Sequence, residues 1–142
     1  MDNNSLKASV GALTLRVSLG IMFIAHALLK LVVFTPAGAA AFFESHGVPG
    51  IFAYIAILTE LVGGVALIAG FKTRIVSLAL TPILISAIVF VHGSNGWFFS
   101  NEGGGWEFPL FWLVALIVQA LLGDGAYAIA SWMPVLQKTK AS

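Results

Sequence analysis

Four apolar runs constrain this chain more than any other feature: Val10 to Phe34, Ile51 to Phe71, Ile75 to Gly93 and Phe108 to Leu122. A hydrocarbon core of roughly 30 Å takes about 20 helical residues to cross, a length the fourth run falls a little short of. Lipid offers no water to bond the backbone, so only helices or closed barrels cross it, and these continuous runs lack the alternation of barrel strands. The first run contains Arg16, His26 and Lys30. It is too long and too polar for a cleavable signal, so it is read as a retained span although Ala37, Gly38 and Ala39 resemble a cleavage site.

Composition agrees. Only 9% of the 142 residues are charged and 59% are hydrophobic, whereas an average soluble domain carries about 25% charged residues. Too few charges remain to coat a water-facing surface. A net charge of +1 argues against nucleic acid as a partner. The chain has no cysteine, which excludes a disulfide framework, a thiolate metal site and a thiol relay within it. The expected fold is therefore an all-α membrane protein: one domain over residues 1–142, an antiparallel bundle of four transmembrane helices at about residues 10–34, 51–71, 75–93 and 108–122.

Orientation follows from the basic residues. With the N-terminus inside, Lys7, Arg16, Lys72, Arg74, Lys138 and Lys140 fall at the cytoplasmic face and Lys30 alone in the outer half, so both termini are expected to be cytoplasmic. The tight Lys72 to Arg74 link makes the second and third spans antiparallel neighbours. In the first outer loop, Thr35–Pro36 is a helix-start signal and Gly47 with Pro49 a stop, which predicts a short helix over 36–46 lying at the membrane interface, with Phe42 and Phe43 dipping into lipid. The second outer loop, Ser94 to Glu107, places Trp97 and Trp106 at the headgroup level, and Gly103, Gly104 and Gly105 are expected to leave it pliable. Gly63, Gly64, Ala66 and Gly70 give close helix packing, a dimer interface being the less favoured reading. Pro82 predicts a bend in the third span, with the carbonyl of Leu78 freed.

The informative residues are the ones that are costly in hydrocarbon, where an ionisable side chain at mid-bilayer costs about 2.5 to 3.5 kcal/mol on insertion scales. Counting the helix rise from the outer ends puts His26 at roughly 12 Å, Glu60 at about 13 Å, Ser86 at about 10 Å and Gln119 at about 16 Å. Four spans thus supply a polar group at similar depth, with Lys30 one turn above His26 and His92 close to the outer end of its helix. The expectation is a polar pocket in the outer half of the bundle, roofed by the Trp-rich loop, with Glu107 at its rim. His26 and Glu60 are its candidates for proton handling, and Lys30, His92, Trp106, Glu107 and Gln119 for ligand binding. Against this stands the plainer reading in which Glu60 and His26 only fix packing. For Lys30 the favoured expectation is snorkelling to the outer interface. Arg16, about 27 Å from the outer end, is expected to anchor at the cytoplasmic headgroups or to partner the cytoplasmic ends of the second and third spans. Asp124, between two glycines, reads as turn chemistry, and Glu44 and His46 are assigned no role. The unequal depths of His26 and His92 argue against a bis-histidine haem and against a metal held by His26, Glu60 and His92.

The stretches RVSLGIMFIAHALLKL (16–31), GVPGIFAYIAILTELVGGVALIAGFKTR (47–74), HGSNGWFF (92–99), GGWEFPL (104–110) and GDGAY (123–127) together resemble the DoxX family of small bacterial membrane proteins, from about residue 15 to residue 129. The family pattern falls on Arg16, Gly20, His26, Lys30, Gly47, Pro49, Glu60, Gly63, Gly64, Gly70, Thr73, Arg74, His92, Gly104, Trp106, Glu107 and Pro109. The chain departs from it at Ala27, Ala126 and Ala130. The resemblance implies a four-helix protein of the bacterial inner membrane. It also implies a link to quinone-dependent thiosulfate oxidation through DoxD relatives, and to membrane oxidoreductase assemblies through others.

Two functions follow as expectations. One is a membrane subunit of a quinone-linked oxidoreductase, with quinone as its possible cofactor and a partner protein supplying electrons. The other is a non-enzymatic scaffold or transport and export helper, whose outer loops dock a partner while the polar layer is structural.

Overall fold

A computed structural model describes residues 3–133. Among them there are five α-helices and no strand: α1 (Asn3–Leu28), α2 (Pro36–Ser45), α3 (Ile51–Ala69), α4 (Thr73–Ser86) and α5 (Glu107–Leu122). Two of them change pitch at one end. α1 runs into a π-helical turn at Leu29–Val33, and α4 into another at Ala87–His92 followed by a 3₁₀ turn at Gly93–Asn95. With these extensions, Asn3–Val33, Ile51–Ala69 and Thr73–Asn95 are long and apolar enough to cross a membrane, while Glu107–Leu122 is apolar but shorter.

Local chemistry explains the helix ends. Thr35 caps α2 by accepting a hydrogen bond from the Gly38 amide, and Pro36 occupies the first turn, where its missing N–H costs nothing. Gly70 ends α3 at φ 73°, a left-handed conformation that a glycine adopts freely. Pro82 cannot bond the carbonyl of Leu78, and the Thr81 hydroxyl bonds that carbonyl instead at 2.7 Å. α1 starts seven residues before the apolar run; Asn3 to Ala8 are all exposed, so the helix extends past its apolar stretch without burying a polar side chain.

Packing gives the bundle its order. α1 lies mainly on α3, α4 mainly on α5, and α3–α4 and α1–α5 contacts join the two pairs; α2 folds onto α3. A core of Leu19, Phe23, Leu67, Leu80, Leu84, Trp112 and Leu116 fills the centre. Around it, Ile21, Leu58, Val62, Val65, Leu78, Val89, Phe111 and Leu121 are exposed. An apolar surface on this scale is a hazard in water and the normal state of a helix in lipid.

The glycines of α1 and α3 serve packing inside this chain. A Cβ on Gly20 would lie 2.6 Å from the Gly64 carbonyl oxygen, and one on Gly64 2.8 Å from that of Gly20. Backbone thus approaches backbone, as small residues allow between membrane helices. Gly20→Ala is expected to cost about 1–3 kcal/mol by forcing the helices apart, read as a lower thermal unfolding midpoint in detergent. An unchanged midpoint would show that the two backbones are not in contact.

Candidate functional site

The end of the α1–α3 interface next to the π-turn holds the ionisable cluster. Lys30 Nζ donates to both carboxylate oxygens of Glu60, at 2.9 and 2.7 Å, and to the His26 carbonyl at 3.4 Å. Glu60 is only 3% exposed. The expectation that Lys30 snorkels outward is therefore corrected: its side chain is 16% exposed and ends on the carboxylate. The reason is energetic, since a buried carboxylate with no cation beside it costs more than drawing the lysine inward. The π-turn matters here as well. It carries Lys30, and such turns, frequent at functional sites, re-aim side chains relative to the helix below.

His26 is half-buried beside this pair and within electrostatic reach of Glu60. Its Nδ1 lies 2.9 Å from the Met22 carbonyl. A carbonyl only accepts, so Nδ1 carries the hydrogen, and Nε2 of the neutral ring keeps a free lone pair. The His26 ring stands edge-on to Trp112, centroids 4.7 Å apart. Trp112 in turn packs on Phe23 and Phe108, and Phe108 on Phe99. Trp112 is 4% exposed, and its indole N–H has no acceptor. Sequence reasoning passed over Trp112; the available signal was its depth, five residues inside α5 and below the usual aromatic belt.

The loop before α5 is braced. His92 Nδ1 donates to the Gly104 carbonyl at 2.9 Å, and the Asn95 amide donates to the carbonyls of Val91, Gly103 and Gly104. Glu107 Oε1 accepts from the Phe99 amide at 2.8 Å. Backbone bonds from Gly105, Trp106 and Glu107 return to Phe98, Gly96 and Trp97, and the Trp97 and Trp106 rings meet edge to face at 4.6 Å. The expected pliable loop is corrected on this point: the glycines supply the positive φ of tight turns at Gly96, Gly103 and Gly104, and hydrogen bonds then hold them. Beside the loop, a groove of about 510 Å³ is lined by Trp97, Phe99, Glu107, Phe108, Leu110, Phe111 and Val114. His26, Lys30 and Glu60 do not line it.

Two members of the expected layer are elsewhere. Ser86 is exposed and bonds the Pro82 carbonyl of its own helix. Gln119 is fully buried near the opposite end, one turn before α5 stops, and its amide donates to the Gly123 carbonyl at 2.8 Å. For Ser86 the depth count left the direction around the helix open, whereas Gln119 is not at the expected depth, because α5 has only 16 residues and Gln119 falls in its last turn. At that opposite end, Arg16 donates to the carbonyls of Leu67, Ile68 and Ala126, as partner to the end of α3. Asp124 accepts from the Thr73 amide at 3.0 Å, fastening the turn after α5 to the start of α4. Lys138 and Lys140 lie outside the described residues. Among the described residues, no three His, Asp or Glu side chains are grouped to hold a metal ion.

A small all-helical membrane protein with an ion pair buried between two apolar helices is the class these observations define. The DoxX family model matches residues 11–93. Over 120 residues the chain is 37% identical to the Bacillus subtilis (strain 168) protein named "Putative oxidoreductase CatD", covering 84% of each. Over 128 residues it is 31% identical to the Escherichia coli (strain K12) "Inner membrane protein YqjF", covering 84% of this chain and 89% of that protein. No solved structure matches it. The chain belongs to the DoxX family.

Proposed function

We propose that this protein is a membrane subunit of a quinone-linked oxidoreductase, binding a quinone head group beside His26, Lys30 and Glu60. In this reading α1, α3, α4 and α5 all cross the bacterial inner membrane, with α5 reaching across by means of the braced loop before it. Both termini are cytoplasmic and α2 lies at the outer interface. The basic residues support that orientation, and the oxidoreductase in the name of the Bacillus relative supports the chemistry.

The observation that carries the proposal is the buried Lys30–Glu60 pair beside a histidine whose Nε2 is unclaimed. Reducing a quinone to a quinol takes two electrons and two protons. Lys30 as an ammonium and His26 as an imidazolium can each donate a hydrogen bond to a carbonyl oxygen and pass a proton to it as charge builds there, while Glu60 holds Lys30 in place and stabilises its charge. The electrons come from a partner subunit, because this cysteine-free chain has no thiol relay.

The test is a titration of detergent-purified protein with a short-chain quinone, read by quenching of Trp112 against a Trp112→Phe control. Saturable quenching is expected, with affinity at least about tenfold weaker in Glu60→Gln, or about 1.4 kcal/mol. Absence of saturation in the wild type, or an identical curve for Glu60→Gln, would overturn the proposal. One observation favours the scaffold reading instead: Trp97, Phe98 and Phe99 are exposed on a rigid loop, a surface suited to docking another protein. Under that reading, changing these three residues abolishes partner capture while quinone has no measurable affinity.

A further inference from the structure

The end of the bundle that carries Lys72 and Arg74 contains a second polar region, for which the reading above has no use. Four side chains there have atoms with no partner in the protein: Arg16 Nε, Thr73 Oγ1, Ser77 Oγ and Gln119 Oε1. All four residues are buried, Arg16 at 1% exposure and the others at 0%. Their neighbourhood is fixed by one turn. Gly123 accepts from the Gln119 amide, Asp124 accepts from the Thr73 backbone, and Ala126 accepts from Arg16. Ser77 lies one helical turn above Thr73 on the same face of α4, the helix that packs along α5.

Buried polar groups in proteins nearly always find a partner in the chain or in ordered water. Four orphans gathered around a single turn thus call for an occupant that both donates and accepts. A charged occupant fits poorly, because the Arg16 guanidinium already has its carbonyl partners and lies within electrostatic reach of Asp124. Water fits, since one molecule makes about three bonds of either sense. Arg74 is exposed, and its side chain lies across Gly123, where a Cβ would sit 3.0 Å from Nε. Toward the other end, Leu19, Leu80 and Leu116, at 2%, 0% and 0% exposure, close the path.

We infer that water enters the bundle from the Lys72–Arg74 end to about the level of Ser77, forming a hydrated inlet separated by a leucine plug from the His26–Lys30–Glu60 cluster. The inlet does not depend on quinone binding, and its test leaves that reading untouched.

Because the chain has no native cysteine, single cysteines report water directly: Ag⁺ reacts with a thiol that water can reach and ionise. Full-length Ser77→Cys, Leu80→Cys and Lys7→Cys proteins in lipid vesicles permeabilised to Ag⁺ would be compared by rate of thiol loss, with Lys7→Cys as the exposed standard. Each unit by which burial raises a thiol pKa lowers its thiolate fraction tenfold, so Leu80→Cys is expected to react about a hundredfold or more slower than Lys7→Cys, and Ser77→Cys within about tenfold of it. If Ser77→Cys fails to fold, Thr73→Cys is read in the same way. A cysteine at 77 as slow as one at 80 overturns the inlet, and a fast cysteine at 80 overturns the plug.

Discussion

A Lys30→Met variant is expected to lose about 3–5 kcal/mol of stability, the usual cost of leaving one member of a buried ion pair without its partner. The large value follows from burial: Glu60 is 3% exposed, so neither water nor headgroups can take the place of Lys30. A lysine snorkelling to the interface would contribute about 0–1 kcal/mol, as exposed pairs do, so the size of the loss separates the two geometries. Adding Glu60→Met to Lys30→Met is expected to restore most of the stability, because paired apolar replacements remove the uncompensated charge. Unfolding midpoints of the two single variants and the double variant in one detergent measure the coupling. A Lys30→Met midpoint equal to that of the wild type would show that the pair is not formed.

The second large effect is at the other end. Arg16→Met removes the donors that hold the carbonyls of Leu67, Ile68 and Ala126. Each charge-assisted bond contributes about 1.5–3 kcal/mol, and the three are not additive, so a loss of about 2–4 kcal/mol is expected. Arg16→Lys is expected to lose nearly as much, since an ammonium cannot spread over three acceptors as the guanidinium fork does. The variant should also release the segment after α5. In the wild type, Ala126 bonds Ser9 and Ala130 bonds Gly70 through their amides, and limited proteolysis near Tyr127 should quicken in Arg16→Met. Unchanged cleavage would mean that Arg16 does not fasten this segment.

What was legible in the sequence was whatever leaves a one-dimensional trace. The apolar runs located three long helices and the shorter α5, and the Thr35–Pro36 pair located α2 to within a residue at each end. Depth counting placed His26, Lys30 and Glu60 at one end of the bundle and Arg16 at the other, where the structure has them. Direction around a helix left a weaker trace. Ser86 shared the estimated depth yet faces outward, and Gln119, in the last turn of α5, closes its own helix end. The π-turns had no sequence signature, and one of them carries Lys30. The three consecutive glycines suggested freedom, while the bonds that hold the loop come from Asn95 and Glu107, several residues away. Trp112 was invisible as a site residue because an aromatic within an apolar run reads as core.

The arrangement explains why ionisable groups persist in so apolar a chain. Lys30 and Glu60 are satisfied largely by one another, and at the opposite end Arg16 is held by three backbone carbonyls while Asp124 accepts from the backbone. Beside the Lys30–Glu60 ion pair, His26 Nε2 and the Trp112 indole N–H are left unclaimed. The central claim is that these groups receive a ligand. Native mass spectrometry of protein extracted gently from its own membrane tests it most directly. The wild type is expected to retain one isoprenoid quinone per chain, and Glu60→Gln to lose it while keeping its phospholipids. Wild-type protein that carries phospholipids alone, or a variant that keeps the same quinone, would contradict the account.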